Sequence, residues 1–256
     1  MSASINIKNV TKTFETMTAL DDVSIDIKAG EFVTLVGTSG CGKSTLLRIL
    51  SGLETVTDGE VTCDEKPIKG TNANRIMVFQ EHTLLPFLSI RKNIAFALKG
   101  TKLYKTEKKN IDHWLSLAGL TEFANKYPHQ LSGGMRQRAA LVRALAVQPE
   151  VLMLDEPLGA LDNFTRMTLQ DELLKLWQEQ NNTIIMVTHD VDEAVYLSQK
   201  IIVMTPRPGR IKEALEVSMS YPRNHADSEF IELRTTILKN LNYAKEVKEQ
   251  YEEYSI

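Results

Sequence analysis

The chain has 256 residues, 43% hydrophobic and 25% charged, with 30 basic against 33 acidic side chains and a formal net charge of -3. That length and balance fit one large domain or two small ones with a real core, and they exclude a disordered chain, a coiled-coil rod and a collagen-like fibre. The charge balance also lacks the bulk positive excess of a nucleic-acid binder. Two cysteines, Cys41 and Cys63, are too few for a disulfide framework and have no zinc-knuckle spacing, so they suit a reducing compartment. The first ten residues have no apolar signal core, and no apolar run approaches the roughly 18–20 residues of a spanning helix. Any membrane role then runs through a partner.

In chain order, residues 5–36 read as β structure. Ile5 and Ile7, then Val23, Ile25 and Ile27, alternate with polar residues at the period of a half-buried strand. Residues 31–36 form a more continuous apolar run that ends in a glycine-rich loop, 37–42. Residues 43–50 then read as a helix and 75–79 as a short strand. From 80 to about 148 the pattern is helical, with candidate helices at 90–98, 107–118 and 132–146. Strands at 151–154, 183–187 and 200–204 then alternate with helices at 164–180 and 191–197. This alternation argues for a mostly parallel sheet with helical crossovers, interrupted by a helical insertion. Pro206 and Pro208 break the pattern, and the charged stretch 227–254 reads as one or two solvated helices.

Gly37-Thr38-Ser39-Gly40-Cys41-Gly42-Lys43-Ser44-Thr45 matches G-x-x-x-x-G-K-[ST] in full, with a strand before it and a helix after it. Glycines let backbone N–H groups turn around phosphate oxygens, and the helix N-terminus adds its positive dipole end. The pattern assigns Lys43 to the β- and γ-phosphates and the Ser44 hydroxyl to Mg²⁺. Cys41 offers the cradle its backbone. A dinucleotide fingerprint fits less well, because Gly40-x-Gly42 is followed at the required position by Thr45 instead of a third glycine. The apolar strand 151–154 ends in Asp155 and Glu156. Ligands of parallel sheets sit at the carboxyl ends of strands, so Asp155 is placed to hold Mg²⁺ and Glu156 to polarise a water for in-line attack.

Leu131-Ser132-Gly133-Gly134-Met135-Arg136-Gln137-Arg138 opens another helix with a serine and two glycines, a second anion site at a helix N-terminus. Together with the two motifs above, this segment resembles the nucleotide-binding subunit of an ATP-binding cassette (ABC) transporter, a likeness that runs over about residues 5–215. The resemblance implies a P-loop NTPase fold of α/β class, with a mostly parallel core sheet, an antiparallel β subdomain and a helical subdomain at about 81–148. It divides the chain into an ATPase domain, 1–220, and a C-terminal helical tail, 221–256. It implies ATP and Mg²⁺ as ligands, and two subunits packed head to tail, with Ser132, Gly133 and Gly134 of one capping the ATP of the other. The family usually has glutamine where Met135 stands, so any hydrogen bond from that side chain is lost. Gln80 corresponds to the residue that senses Mg²⁺ and the attacking water. Asp162, in Leu158-Gly-Ala-Leu-Asp162, corresponds to the segment touching the opposite subunit, with a plain helix N-cap as the other reading. His189 corresponds to the histidine that bonds the γ-phosphate, and Phe14 to the aromatic that stacks on adenine. A core phenylalanine is the other reading of Phe14.

Three features resemble importer ATPases of the nitrate/sulfonate/taurine/bicarbonate type. The cassette has no fused membrane spans, about 50 residues follow Thr205, and the segments Met204-Thr-Pro-Arg-Pro-Gly-Arg-Ile211, Tyr221-Pro-Arg and Phe230-Ile-Glu-Leu-Arg234 match that group. This likeness implies integral membrane permease subunits, a solute-binding protein in the complex, no nucleic acid, and a peripheral location on the cytoplasmic face of the bacterial inner membrane. The apolar loop 84–88 would face the permease. A soluble ABC ATPase of nucleic-acid repair or translation, or the ATPase of another import class, remains the alternative.

Overall fold

The computed structural model describes residues 2–79, 84–101, 104–159 and 161–241. Its elements in chain order are β1 (Ile5–Phe14), β2 (Met17–Ile27), β3 (Phe32–Val36), α1 (Lys43–Ser51), β4 (Asp58–Cys63), β5 (Lys66–Pro67), β6 (Arg75–Val78), α2 (Ile90–Lys99), α3 (Tyr104–Glu107), α4 (Ile111–Leu117), α5 (Gly133–Leu145), β7 (Val151–Asp155), α6 (Asn163–Gln180), β8 (Thr183–Val187), α7 (Val191–Leu197), β9 (Lys200–Met204), β10 (Ile211–Glu216) and α8 (Ser228–Asn240). They build two sheets. One is antiparallel, in the order β2-β1-β4-β5; the other has six strands in the order β10-β9-β3-β8-β7-β6.

The second sheet is parallel except at β10, which runs antiparallel to β9. Strands β3, β7 and β8 are buried along their whole length, as their unbroken apolar runs require of strands covered on both faces. Phe32 on β3 packs edge-on against Trp177 of α6, with ring centroids 5.8 Å apart, and the Trp177 indole N–H donates to the Gly30 carbonyl at 3.0 Å. The first sheet alternates: Ile5, Ile7, Val23, Ile25 and Ile27 turn inward against α1 and join a core with Val33, Leu35, Leu46 and Leu50. Helices α2 to α5 fall between β6 and β7 and bury Ile90, Ile94, Trp114 and Leu141 in a core shared with α6.

Three parts differ from the sequence expectation. The helix anticipated over 107–118 begins as α3, passes through a 3₁₀ turn at Lys108–Asn110 and resumes as α4. Lys108, Lys109 and Asn110 are all exposed, so apolar periodicity starts only at Ile111. Strands β4 and β5 were not anticipated, because β4 buries only Val61. Strand β10 was also missed: Ile-Lys-Glu-Ala-Leu-Glu alternates half-buried and exposed residues at a sheet edge, a weak strand signal that follows two prolines. The tail forms α8, which buries Phe230 and Ile237 against α7; expectations for 242–254 lie outside the described residues.

Arg223 fixes the seam between the tail and α7. Only 5% exposed, it donates to the carbonyls of Val195 (2.6 Å), Ser198 (2.6 Å), Met219 (3.1 Å) and Tyr196 (3.3 Å), capping the C-terminal end of α7. Tyr221 completes the cap through its hydroxyl on the Leu197 carbonyl at 2.7 Å. Helix-end carbonyls have no partner within the helix, so removing this fork strands several at once. Arg223→Ala is expected to lower unfolding stability by about 3 kcal/mol, and Arg223→Met, which restores the bulk alone, should recover little of it. Urea titration of the three chains checks both.

Candidate functional site

The parallel strands deliver the site. β3, β7 and β8 lie side by side with their carboxyl ends on one edge, where ligands of open α/β sheets bind. β3 runs into the loop 37–42, β7 ends at Asp155, and β8 ends two residues before His189. Gln80, also expected here, lies outside the described residues.

The loop is shaped by its glycines. Gly42 caps α1 with φ +101°, and a Cβ there would meet the Leu20 side chain at 2.6 Å and the Ala19 carbonyl at 2.8 Å, so only glycine fits. The cap residue Gly42 makes no side-chain hydrogen bond to α1, whose first intrahelical bond runs from Leu46 N to the Gly42 carbonyl. The N–H groups of the turn before Leu46 therefore have no partner within the helix. The Lys43 ammonium folds into the loop and donates to the carbonyls of Gly37 (2.7 Å) and Thr38 (2.9 Å). The Cys41 thiol is 1% exposed and lies 3.7 Å from that ammonium, which leaves the backbone as its contribution to the loop surface.

The Ser44 hydroxyl donates to Asp155 Oδ1 at 3.0 Å, joining α1 to the end of β7. Burial pushes the Asp155 carboxyl above the ordinary range; the Ser44 hydrogen bond opposes this, the Glu156 charge adds to it, and the Lys43 charge opposes it. Glu156 adopts φ +47°, rare for a side-chain-bearing residue, with its N–H donating to the Val187 carbonyl at 2.9 Å. Its Oε2 stands 3.4 Å from His189 Nδ1. His189 is 62% exposed at its side chain, so it is not a packing histidine.

One open cavity of about 470 Å³ is lined by Phe14, Gly40, Lys43, Ser44, Glu156 and His189, together with Ser39, Gly42 and Thr45 of the loop. Phe14, at 37% exposure, sits at the β1–β2 turn with the Lys12 ammonium 4.7 Å from its ring centroid; the core reading of Phe14 is excluded. Thr38 contributes its carbonyl to Lys43 and does not line the cavity. Ser132, Gly133, Gly134 and Asp162 are not brought into it. Ser132 caps α5, accepting from Met135 N at 3.3 Å, and Asp162 caps α6, accepting from Thr165 N at 3.0 Å. Sequence reasoning gave no role to two neighbours of the site. Gln137 of α5 donates to the Glu156 carbonyl at 3.0 Å; its place one turn beyond Ser132 was the available signal. Arg207 lines the same cavity.

Among the described residues no three His, Cys, Asp or Glu side chains form a metal-holding group. A cation here would share Asp155 and Ser44 with oxygens from a bound phosphate chain, the arrangement Mg²⁺ favours. Helix N–H groups without an intrahelical partner, an ammonium and a hydroxyl–carboxylate pair at one sheet edge fit a nucleoside triphosphate with that ion.

Comparison with known proteins agrees. The family model described as ABC transporter matches residues 20–159. The chain is 42% identical over 243 residues to the aliphatic sulfonates import ATP-binding protein SsuB of Bacillus thuringiensis, covering 93% of this chain and 96% of that one. It is 45% identical over 241 residues to the nitrate import ATP-binding protein NrtD of Synechococcus elongatus, covering 90% and 88%. A solved dimeric ATP-binding cassette in a post-hydrolysis state, bound to ADP and Pi, superposes with a TM-score of 0.75 at 34% identity, over 84% of this chain and all of that one.

The turn that carries His189 rests on a buried acid. The Thr188 hydroxyl donates to Glu193 Oε2 at 2.8 Å and accepts from Asp190 N at 3.0 Å. Burial pushes the Glu193 carboxyl up to about 7, against the Thr188 hydrogen bond and the Arg166 charge. The folded chain therefore holds this proton at pH values where the unfolded chain has released it. The associated stability is complete below the ordinary glutamate value of 4.5 and disappears as pH rises through about 7. Glu193→Gln should gain stability relative to the parent as pH rises from about 5 to about 8. Chemical denaturation of both proteins at the two pH values checks this; parallel profiles would contradict it.

Proposed function

We infer a transport role from one premise: the chain belongs to the ABC transporter family, as an ATP-binding subunit that hydrolyses ATP. The reading is that it energises uptake of a small solute of the nitrate/sulfonate/taurine/bicarbonate type through a membrane permease. The names of the two importer relatives support it. Among the described residues no helix is long and apolar enough to cross a membrane, and in this reading the pore comes from separate permease subunits. The subunit would sit peripherally on the cytoplasmic face of the membrane, with a solute-binding protein in the complex. The same reading divides the chain into an ATPase domain, 1–220, whose helical subdomain spans about 81–148, and a helical tail, 221–256.

One observation carries the assembly: the α5 N-terminus with Ser132, Gly133 and Gly134 lies outside the cavity that holds the phosphate loop, Glu156 and His189. A second copy, or a similar ATPase subunit, packed head to tail would supply it, and the dimeric state of a relative supports such pairing. Asp162 would stand at the same contact. Phe14 would stack on adenine. The loop N–H groups, Lys43 and the N-terminus of the partner's α5 would hold the triphosphate. Ser44 and Asp155, with Gln80 beyond the described residues, would hold Mg²⁺, which neutralises charge on the phosphate oxygens. Glu156 orients a water and accepts its proton as the oxygen attacks the γ-phosphorus and ADP leaves; His189, beside Glu156, bonds the γ-phosphate.

An apolar groove of about 330 Å³, lined by Ile76, Met77, Leu85, Phe96, Ala140 and Val147, suits a permease helix. Leu84 is buried in the core, so the loop after it is only partly exposed. Phe87 stands out at 71% exposure. Its loop is held by the buried Asn93, which accepts from Leu85 N at 2.8 Å and donates to the carbonyls of Leu88 (3.0 Å) and Leu85 (3.2 Å). A large apolar ring on a fixed loop marks a docking surface.

Glu156→Gln keeps the left-handed backbone and the side-chain shape. It should bind ATP normally and hydrolyse it at least ~100-fold more slowly, the scale of a lost general base. Full turnover in that variant would remove Glu156 from its role. Phe87→Asp should leave basal ATPase activity unchanged in the isolated subunit while abolishing solute uptake in the assembled transporter; equal loss of both would contradict the docking assignment.

A further inference from the structure

The segment after β9 marked a subfamily in the sequence, yet the hydrolytic scheme gives it no task. It crosses the phosphate loop closely. Gly209 N donates to the Ala19 carbonyl at 3.0 Å, and the Gly209 carbonyl accepts from Asp21 N at 3.0 Å, so this strap is stitched to β2. A Cβ at Gly209 would stand 1.9 Å from the Cys41 carbonyl, so only glycine lets strap and loop approach this far. Arg210 fastens the far end to Asp21, Nε to Oδ2 at 2.9 Å.

From that fixed base Arg207 reaches back over the loop. Its Nε and Nη2 both donate to the Gly40 carbonyl at 3.1 Å, and its Nη1 lies 2.8 Å from Met17 Sδ. Met17 pairs with Phe14 across the β1–β2 turn. The guanidinium therefore bridges the apex of the phosphate loop and the hairpin that presents Phe14, inside the same cavity. A guanidinium carries five N–H donors, and these contacts use three of them. The two that remain are planar and cationic, matched to phosphate oxygens.

We propose that Arg207 is a nucleotide-positioning residue: it fixes the Gly40 carbonyl, and so the form of the phosphate loop, and offers its remaining donors to the phosphate chain of a nucleoside triphosphate whose base lies against Phe14. The assignment rests on the reading that ATP occupies this cavity. Arg207 is exposed and packs into no core, so its removal leaves the fold intact.

The test compares the full-length parent chain with Arg207→Ala and Arg207→Lys by ATPase kinetics, by binding of a fluorescent ATP analogue, and by thermal melting without nucleotide. Arg207→Ala should raise KM for ATP about tenfold with kcat within about twofold of the parent, the pattern of a lost binding contact, at an unchanged melting temperature. Arg207→Lys should recover less than half of the loss, because an ammonium keeps the charge but lacks the planar fork that grips the Gly40 carbonyl through Nε and Nη2 while leaving further N–H donors in the same plane. An unchanged KM in Arg207→Ala overturns the assignment. So does a KM rise that tracks a fall in melting temperature, or full recovery by lysine. A parent chain that fails to bind the analogue would instead sink the reading of the cavity, and the two failures are told apart by the parent alone.

Discussion

Among the described residues, the first turn of α1 has no capping side chain at Gly42 and no intrahelical partner for its N–H groups before Leu46, and much of the site follows from that. A helix end left this way demands an acceptor, and here it faces a cavity instead of a capping side chain. A serine or aspartate at position 42 would satisfy the helix but needs a Cβ where Leu20 and the Ala19 carbonyl already stand. The tight approach of β2 thus enforces an uncapped end. Lys43 then adds its charge to the same place while its ammonium holds two loop carbonyls together. Anion affinity arises from what the fold prevents as much as from what it supplies.

Parallel strand order does the rest. Because β3 lies next to β8 and β8 next to β7, the glycine loop, the Asp155–Glu156 pair and His189 emerge at neighbouring strand ends although they span more than 150 positions of sequence. Positioning here is a backbone property, fixed by ladders such as Asp155 opposite Val187. Side chains only refine it, as the Ser44–Asp155 bond does across 111 residues.

What the sequence made legible were features with strong local signals: the fully apolar strands β3, β7 and β8, the phosphate loop, and α5 with its serine cap. What stayed hidden depended on distant neighbours. Phe14 was ambiguous because a ring in an alternating strand can face either side; the turn at Glu15 and the register of Phe14 with Met17 expose it. Asp162 reads the same as a cap or as a contact, and the fold uses it as a cap. Strands β4, β5 and β10 bury too little to carry a pattern. Arg207 and Gln137 lie in segments that the sequence did mark, but their contacts stayed hidden because the partners, the carbonyls of Gly40 and Glu156, are backbone atoms that no residue type announces.

Gln137 also links two parts of the site. Helix α5 begins at Ser132, outside the cavity, yet one turn later it grips the carbonyl of Glu156 inside it. Glu156 is already held in a left-handed conformation by its N–H on β8, a state that persists only when its surroundings over-determine it. A displacement of α5 against the core must stretch that hydrogen bond or carry the Glu156 backbone with it. The helix whose N-terminus lies outside its own cavity is therefore mechanically tied to the residue that would activate water, so a contact made at Ser132 and the geometry at Glu156 are not independent variables.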